Sequence, residues 1–303
     1  MDRHELLQKI TTLPFIAPSL AEDLLSGDFR SAFKGQGIEA DEVRHYERGD
    51  DIRSIDWNVS ARFGTPYVKM YREEREMTVF LVLDCSASMR SGGGPGKDGP
   101  SSLSRSDQAV LAAALIAFST ERAGQRIGAV FFDHAITKVF PPRKGRSPIM
   151  AMISDALAMQ AEGSGSDLGA ALVGLRRLLK RRSLVVIISD FLCMNWEQEL
   201  GTLCRKHDVI AIRITDPLDE DMPDLGLITM EDPETGLTYH APTRFASFRS
   251  TWSTWHKDRL TSWRGICRHA GASFMELSTT SDAPAALIRF FGNRRVPKRT
   301  VHL

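Results

Sequence analysis

The sequence predicts an α/β fold, a Rossmann-like, mostly parallel sheet with helices on both faces. Three observations predict it. From about residue 77 onward, short runs of branched apolar residues alternate with longer helical patterns. The runs lack polar alternation, as strands buried on both faces require. One run is followed so closely by another that no crossover helix fits between them, which places a single antiparallel strand at an edge.

The first 75 residues stand apart and are expected to form an N-terminal extension packed against the main domain. After a short helical start comes GDDIRSIDWNVSARFGTPYVKMYREERE, where Asp50, Asp51, Arg53, Asp56, Trp57 and Arg62 crowd together before a strand-like TPYVKMY. Opposite charges this dense beside an indole fit bidentate arginine–carboxylate contacts that pin the extension. A catalytic role lacks a nucleophile and base pair nearby.

The main domain is expected over 76–291. MTVFLVL, RIGAVFF, SLVVIIS and DVIAIRI read as its buried strands. SDQAVLAAALIAFSTERAG is a helix apolar nearly all round, with Ser106 as N-cap and Gly124 as the stop. In SPIMAMISDALAMQ, Ser147 caps, Pro148 takes the first helical position, and Ile149, Met152, Ile153, Ala156 and Leu157 form one stripe. DLGAALVGLRRLLKRR carries Leu168, Leu172, Leu175 and Leu179 on one face, with basic residues toward its C-terminal end. AITKVF is the antiparallel edge strand. GLITMEDPETGLTY is a small β-hairpin insertion turning at Pro233–Gly236. A tryptophan-containing helix and a last strand, ASFMEL, complete the domain. The Gly/Ser/Pro-rich stretch 91–106 reads as a mobile loop. The basic tail, 292–303, is a solvated end, with an anionic docking arm as the alternative.

Composition narrows the function. Of the 303 residues, 42% are hydrophobic and 25% charged, the balance of an ordinary soluble domain. A formal net charge of +1 gives no electrostatic reason to expect nucleic acid as partner. No apolar run approaches the roughly 20 residues of a membrane span, and the N-terminus is a poor signal peptide. Cys85, Cys193, Cys204 and Cys267 show no CxxC spacing and read as reduced thiols, so a cytoplasmic location is expected. Trp252, Trp255 and Trp263 read as core or interface anchors. The scattered histidines include no HExxH, which disfavours zinc hydrolysis.

The chemistry gathers where strands end. In open α/β sheets, ligands bind beyond the carboxyl ends of strands near the switch point. Asp84 ends one strand in LVLDCSASM and is followed by Ser86 and Ser88; Asp190 ends another in VVIISD; Ser166 lies at a helix start in GSGSDLGAAL. Two carboxylates and three hydroxyls make an all-oxygen donor set for a hard divalent cation, Mg2+ first, with Mn2+ or Ca2+ as alternatives. The competing interpretation is structural: Ser86 and Ser88 would satisfy backbone groups in a turn, and Ser166 would be a helix N-cap.

LVLDCSASM resembles the metal-ion-dependent adhesion site (MIDAS) of von Willebrand factor type A domains, with GSGSDLGAAL similar to the second loop of that family and VVIISD to the third. The resemblance implies that Asp84, Ser86, Ser88, Ser166 and Asp190 are the metal ligands, Ser166 replacing the usual threonine. Together with RHYERGDDIRSIDWNVSARFGTPYVKMYREERE, SLVVIISDFL and HDVIAIRITDPLDEDMP, the chain is similar to the bacterial domain-of-unknown-function family 58. That likeness implies a type A-like domain acting beside a MoxR-type AAA+ ATPase, as a non-enzymatic binding module whose metal captures a carboxylate of a partner protein. A family lysine expected after the loop is displaced by SRSDQA.

Two rivals remain. One is a magnesium-dependent phosphoryl hydrolase, but the second acid such an enzyme would carry two residues after Asp84 is Ser86, a poor proton donor near neutral pH. The other is a scaffold whose site holds no metal.

Overall fold

The computed structural model describes residues 10, 34–47, 49–74, 77–93, 103–159 and 165–294. The chain divides into two compact units, Asp28–Met77 and the remainder carrying Thr78–Leu303. The short helical start therefore lies, apart from Ile10, outside the described residues, as do the middle of the glycine-rich loop and all of the tail beyond Arg294.

In the smaller unit, β1 (Lys34–His45) pairs antiparallel with β2 (Tyr67–Glu74), and α1 (Trp57–Phe63) lies between them in sequence. β1 escaped sequence reading because KGQGIEADEVRH has little apolar alternation. The clustered aspartates divide between helix capping and the expected kind of arginine–carboxylate contact. Asp56 caps α1 by accepting from the amides of Asn58 and Val59, and Asp51 caps the preceding 3₁₀ turn through the amide of Arg53. Asp50 pairs with Arg44 at 2.5 Å. Trp57 is 68% exposed.

The larger unit is built on β3 (Thr78–Asp84), β4 (Arg126–Phe132), β5 (Ile136–Arg143), β6 (Leu184–Ser189), β7 (Asp208–Thr215) and, late in the chain, β10 (Ser273–Ser278). Their order across the sheet is β10-β7-β6-β3-β4-β5, parallel throughout except for β5, which runs antiparallel on the edge. The fold is the expected one. Adjacent prolines, Pro141 and Pro142, sit on β5, where an edge tolerates lost donors.

The helices are α2 (Arg105–Arg122), α3 (Arg146–Ala158), α4 (Leu168–Leu178), α5 (Glu197–Cys204), the short α6 (Pro217–Glu220), α7 (Ala246–Ala270) and α8 (Ala283–Asn293). One face of the sheet presents Phe80, Val82, Val130, Phe132, Val185, Ile187, Val209 and Ala211 to Leu168, Leu172 and Leu175 of α4, Leu200 of α5 and Trp263 of α7. The other face carries α2, with α3 and α8 packed against it. That sandwiching explains why α2 is apolar all round: Ala109 through Thr120 are buried. The hairpin insertion is β8 (Leu227–Glu231) paired with β9 (Thr238–Pro242).

Helix starts differ in detail from the sequence reading. Ser104, not Ser106, caps α2 by accepting from the amide of Asp107, and Gly124 ends it at φ +69°. α3 begins at Arg146 after Gly145, so Ser147 lies inside the first turn. Several serines in a row satisfy one capping rule equally, and packing selects among them. At the C-terminus α8 runs to Asn293, past the expected boundary, and Arg294 bonds Asp208 at 2.5 Å. Among the described residues no helix is long and apolar enough to cross a membrane.

Candidate metal centre

Chain progression reverses between two neighbouring central strands. β3 leads to β4 on one side, and β6 leads to β7 on the other, so the C-terminal ends of β3 and β6 flank the switch point. Leu83 pairs with Ile188 across the two strands, which sets Asp84 beside Ser189. Ser189 Oγ donates to Asp84 Oδ2 at 2.5 Å while accepting from the amide of Phe191 at 2.9 Å. Both Asp84 and Asp190 are buried, at 2% and 3% exposure.

After Asp84 the chain enters a 3₁₀ turn, Ala87–Arg90. The amide of Ser86 turns back to Asp84 Oδ1 at 3.0 Å, and the Ser86 and Ser88 hydroxyls face each other at 3.2 Å. Neither hydroxyl caps the turn: Ser86 occupies the N-cap position without using its side chain. The loop leading into α4 is fixed through Asp133, buried after β4, whose carbonyl accepts from the amide of Asp167 at 2.8 Å. Asp167 supplies the N-cap of α4 by accepting from Ala170, which leaves the Ser166 hydroxyl free of that duty. Gly169 lets the loop after β6 close in, since a Cβ there would stand 2.8 Å from the carbonyl oxygen of Asn195.

The loop after β6 carries backbone strain. Phe191 adopts positive φ, +54°, which an aromatic residue normally avoids, while Asn195, at +64°, is of a residue type that tolerates the left-handed region. The Phe191 ring is held between Trp196 and Trp263 at 5.2 and 5.5 Å between centroids, which anchors the strained turn. Trp263 is the core anchor expected of it, whereas Trp255 is half exposed.

Burial, reinforced by the neighbouring Asp190 charge, pushes the Asp84 carboxyl up to about 7 against the hydrogen bonds from Ser189 and Ser86. Asp190 is raised by burial too, opposed by Arg105, the Leu192 amide, Ser88 and Arg213. Arg105 lies 3.8 Å from Asp190 and 2.6 Å from Asp219, so the SRSDQA segment does place a cation at the site, through Arg105. Burial pushes the Cys85 thiol up and the Cys193 thiol to about 12, which leaves neither as a nucleophile.

Two oxygens test whether these residues suit a cation. Ser166 Oγ and Asp190 Oδ2 are buried and lack a hydrogen-bond partner. An unsatisfied buried polar atom costs about 1–3 kcal/mol; Arg105, 3.8 Å from Asp190 Oδ2, offsets part of the charge there but is too far to hydrogen-bond, so both oxygens keep a free acceptor site. The donors fit a hard cation. Among the described residues no three of His, Cys, Asp and Glu converge to hold a metal; a cation at this rim would depend on the serine hydroxyls for its remaining donors. A cavity of about 90 Å³ touches Asp84 and Ser86 but is otherwise lined largely by Leu83, Met89, Val110, Leu157 and Met159, and it does not reach Ser88, Ser166 or Asp190.

Comparison with known proteins bears on the family. The family described as "Protein of unknown function DUF58" matches residues 42–261. The chain belongs to that family. The uncharacterized protein Rv1480 of Mycobacterium tuberculosis is 33% identical over 301 residues, covering 97% of this DUF58 chain and 92% of the relative. Among solved structures, BatB from Bacteroides thetaiotaomicron overlaps at TM-score 0.45 and 14% identity, covering 71% of this chain and 96% of that one. A von Willebrand factor type A protein from Catenulispora acidiphila overlaps at TM-score 0.39 and 14% identity, covering 73% and 42%. The fold assignment rests on the strand order and register described above.

Sequence reasoning placed Asp84, Ser86, Ser88, Ser166 and Asp190 on three loops, and the structure brings those loops to one rim of the sheet. It missed Ser189, Asp133, Arg105 and Arg213. The Ser-Asp pair closing β6 was a usable signal for Ser189; the others depend on contacts distant in sequence.

Proposed function

We propose that this DUF58 protein is a non-catalytic protein-interaction module that works through a divalent cation, Mg2+ foremost, with Mn2+ or Ca2+ as alternatives. Asp84, Ser86, Ser88, Ser166 and Asp190 would hold it. A cation bound there acts as a Lewis acid, and three neutral hydroxyl donors leave it short of negative charge, so an anionic oxygen from outside the set is attracted. The natural source is a carboxylate on a partner protein. The family likeness directs attention to a MoxR-type AAA+ ATPase as that partner.

One observation carries this reading: Ser166 Oγ and Asp190 Oδ2, from separate loops flanking the switch point, are buried oxygens without a hydrogen-bond partner. The lack, among the described residues, of an imidazole or amine hydrogen-bonded to Ser86 or Ser88 supports a binding role over turnover. The test is affinity capture from native lysate by the full chain, with magnesium and with chelator. An AAA+ ATPase retained only with magnesium, and lost with Asp84→Ala, is the expected result. Capture indifferent to thorough chelation refutes metal dependence, and magnesium-dependent hydrolysis of a phosphate ester that requires Asp84 refutes the non-catalytic reading.

A further inference from the structure

A recess opens at the other end of the strands. α4 and α5 lead into β6 and β7, so their last turns lie where those strands begin, away from the rim that carries Asp84 and Asp190. There a cavity of about 330 Å³ is lined by Val173, Arg177 and Leu179, on and just after α4, and by Lys206 and His207, just after α5. Arg176 also lines it but is held by Glu199 at 2.6 Å. Neither Arg177 nor Lys206 has an acidic partner or a side-chain hydrogen bond among the described residues. His207 is fixed by its amide, which donates to the Leu203 carbonyl at 2.9 Å, and is only 7% exposed. Its Nδ1 is buried without a hydrogen-bond partner, a costly state for an imidazole nitrogen. Burial first, then the charges of Lys206 and Arg182, hold the His207 imidazole below its ordinary value. The ring is therefore neutral near pH 7 and can carry its one proton on Nδ1.

Five of the seven residues Arg176–Arg182 are Lys or Arg and none is acidic; Arg205 and Lys206 add two more. Helix ends explain only part of that charge. Each helix C-terminus carries about half a negative charge, so two of them call for about one cation. The rest is an excess of positive charge around one recess, which attracts an anion. Two unpaired cations, Arg177 and Lys206, balance a dianion. A guanidinium fork, an ammonium and an imidazole N–H suit the several oxygens of a phosphoryl group better than the two of a carboxylate. Val173 and Leu179 add an apolar wall, and the volume, at the lower end for small-molecule sites, exceeds what a bare anion fills. We infer that this recess binds a phosphate monoester, its phosphoryl oxygens taken by Arg177, Lys206 and His207 Nδ1 and its organic group lying against Val173 and Leu179. The inference is independent of the metal centre.

Calorimetric titration of the full-length protein, freed of metal by chelation and dialysis, tests this with phenyl phosphate and inorganic phosphate as probes. Phenyl phosphate is expected to fill one saturable site and to bind more tightly than inorganic phosphate. Arg177→Gln and Lys206→Gln should each weaken it about tenfold, the scale of one lost hydrogen bond to a charged group. Arg181→Gln, which removes an exposed cation outside the recess, and Asp84→Ala should leave the affinity unchanged. The ring nitrogens of His207, assigned in nitrogen NMR spectra by their loss in His207→Gln, should shift on saturation. Vesicles containing phosphatidate that compete with phenyl phosphate identify a lipid headgroup as the source of the ester, and vesicles that do not compete identify a soluble one; both keep the site. No saturable binding at millimolar phenyl phosphate overturns the proposal. Equal weakening by Arg181→Gln overturns it as a diffuse charge effect, and loss of binding in Asp84→Ala overturns it by moving the anion to the other rim. Equal affinity for the two probes, or unmoved His207 resonances at saturation, overturns the assignment of the ester to this recess.

Discussion

Replacing Asp84 by asparagine is expected to stabilise the protein when chelator keeps metal away. The side chain keeps its shape, and Asn Oδ1 still accepts from the Ser86 amide, but the buried charge is gone. An aspartate that ordinarily titrates at 3.8 is pushed up to about 7 by burial and by Asp190. The raised value means that the folded state holds its proton over a range where the unfolded chain has lost it. Wild-type stability therefore falls as pH rises from about 4 to about 7 and stays low above that. At about 1.4 kcal/mol per pH unit, the full penalty at pH 8 is on the order of 4 kcal/mol, and about 2 kcal/mol is already incurred at pH 5. Loss of the optimal Ser189 hydrogen bond returns about 1 kcal/mol. The net gain for Asp84→Asn is about 3 kcal/mol at pH 8 and much less at pH 5.

Urea unfolding in chelator at the two pH values, followed by tryptophan fluorescence, measures this directly, Trp263 being buried against the sheet. Magnesium should then reverse the ranking once it is in large excess, since a ligand at about a thousand times its Kd stabilises the wild type by about 4.1 kcal/mol and the variant not at all. A variant less stable than wild type at pH 8 in chelator, or a difference that ignores pH, would show that Asp84 is not a destabilising buried charge.

Two further substitutions separate structural from ligand roles at the helix start. Asp167→Ala removes the cap of α4 and should cost about 1 kcal/mol with metal affinity intact, whereas Ser166→Ala should leave metal-free stability unchanged and weaken magnesium binding; calorimetry with denaturation checks both. Gly128→Ala should destabilise the sheet by about 2 kcal/mol, because its Cβ would meet the Phe140 carbonyl oxygen at 2.8 Å and the Phe80 ring at 2.9 Å. An unmoved urea midpoint would contradict that.

Much of the sheet could be read from local pattern alone. TVFLVLD and LVVIIS announce buried parallel strands because a short apolar run without alternation must be covered on both faces to leave water. Asp84, Ser86 and Ser88 declare themselves through spacing within one turn, and Asp190 through its place after a strand. The cap of α4 did not, since Ser166 and Asp167 are both good caps and only the finished loop shows which is used. Ser189 meets Asp84 because β3 and β6 lie side by side in one register, and a slip of one residue would turn both side chains to other faces. Arg105 is still less visible, as it reaches the centre from an element whose position depends on strand order and packing. Short-range chemistry chooses strands, turns and the residues that end them; which oxygens and charges finally share one site is a matter of long-range assembly, because hydrophobic burial orders the sheet without regard to what its loops carry.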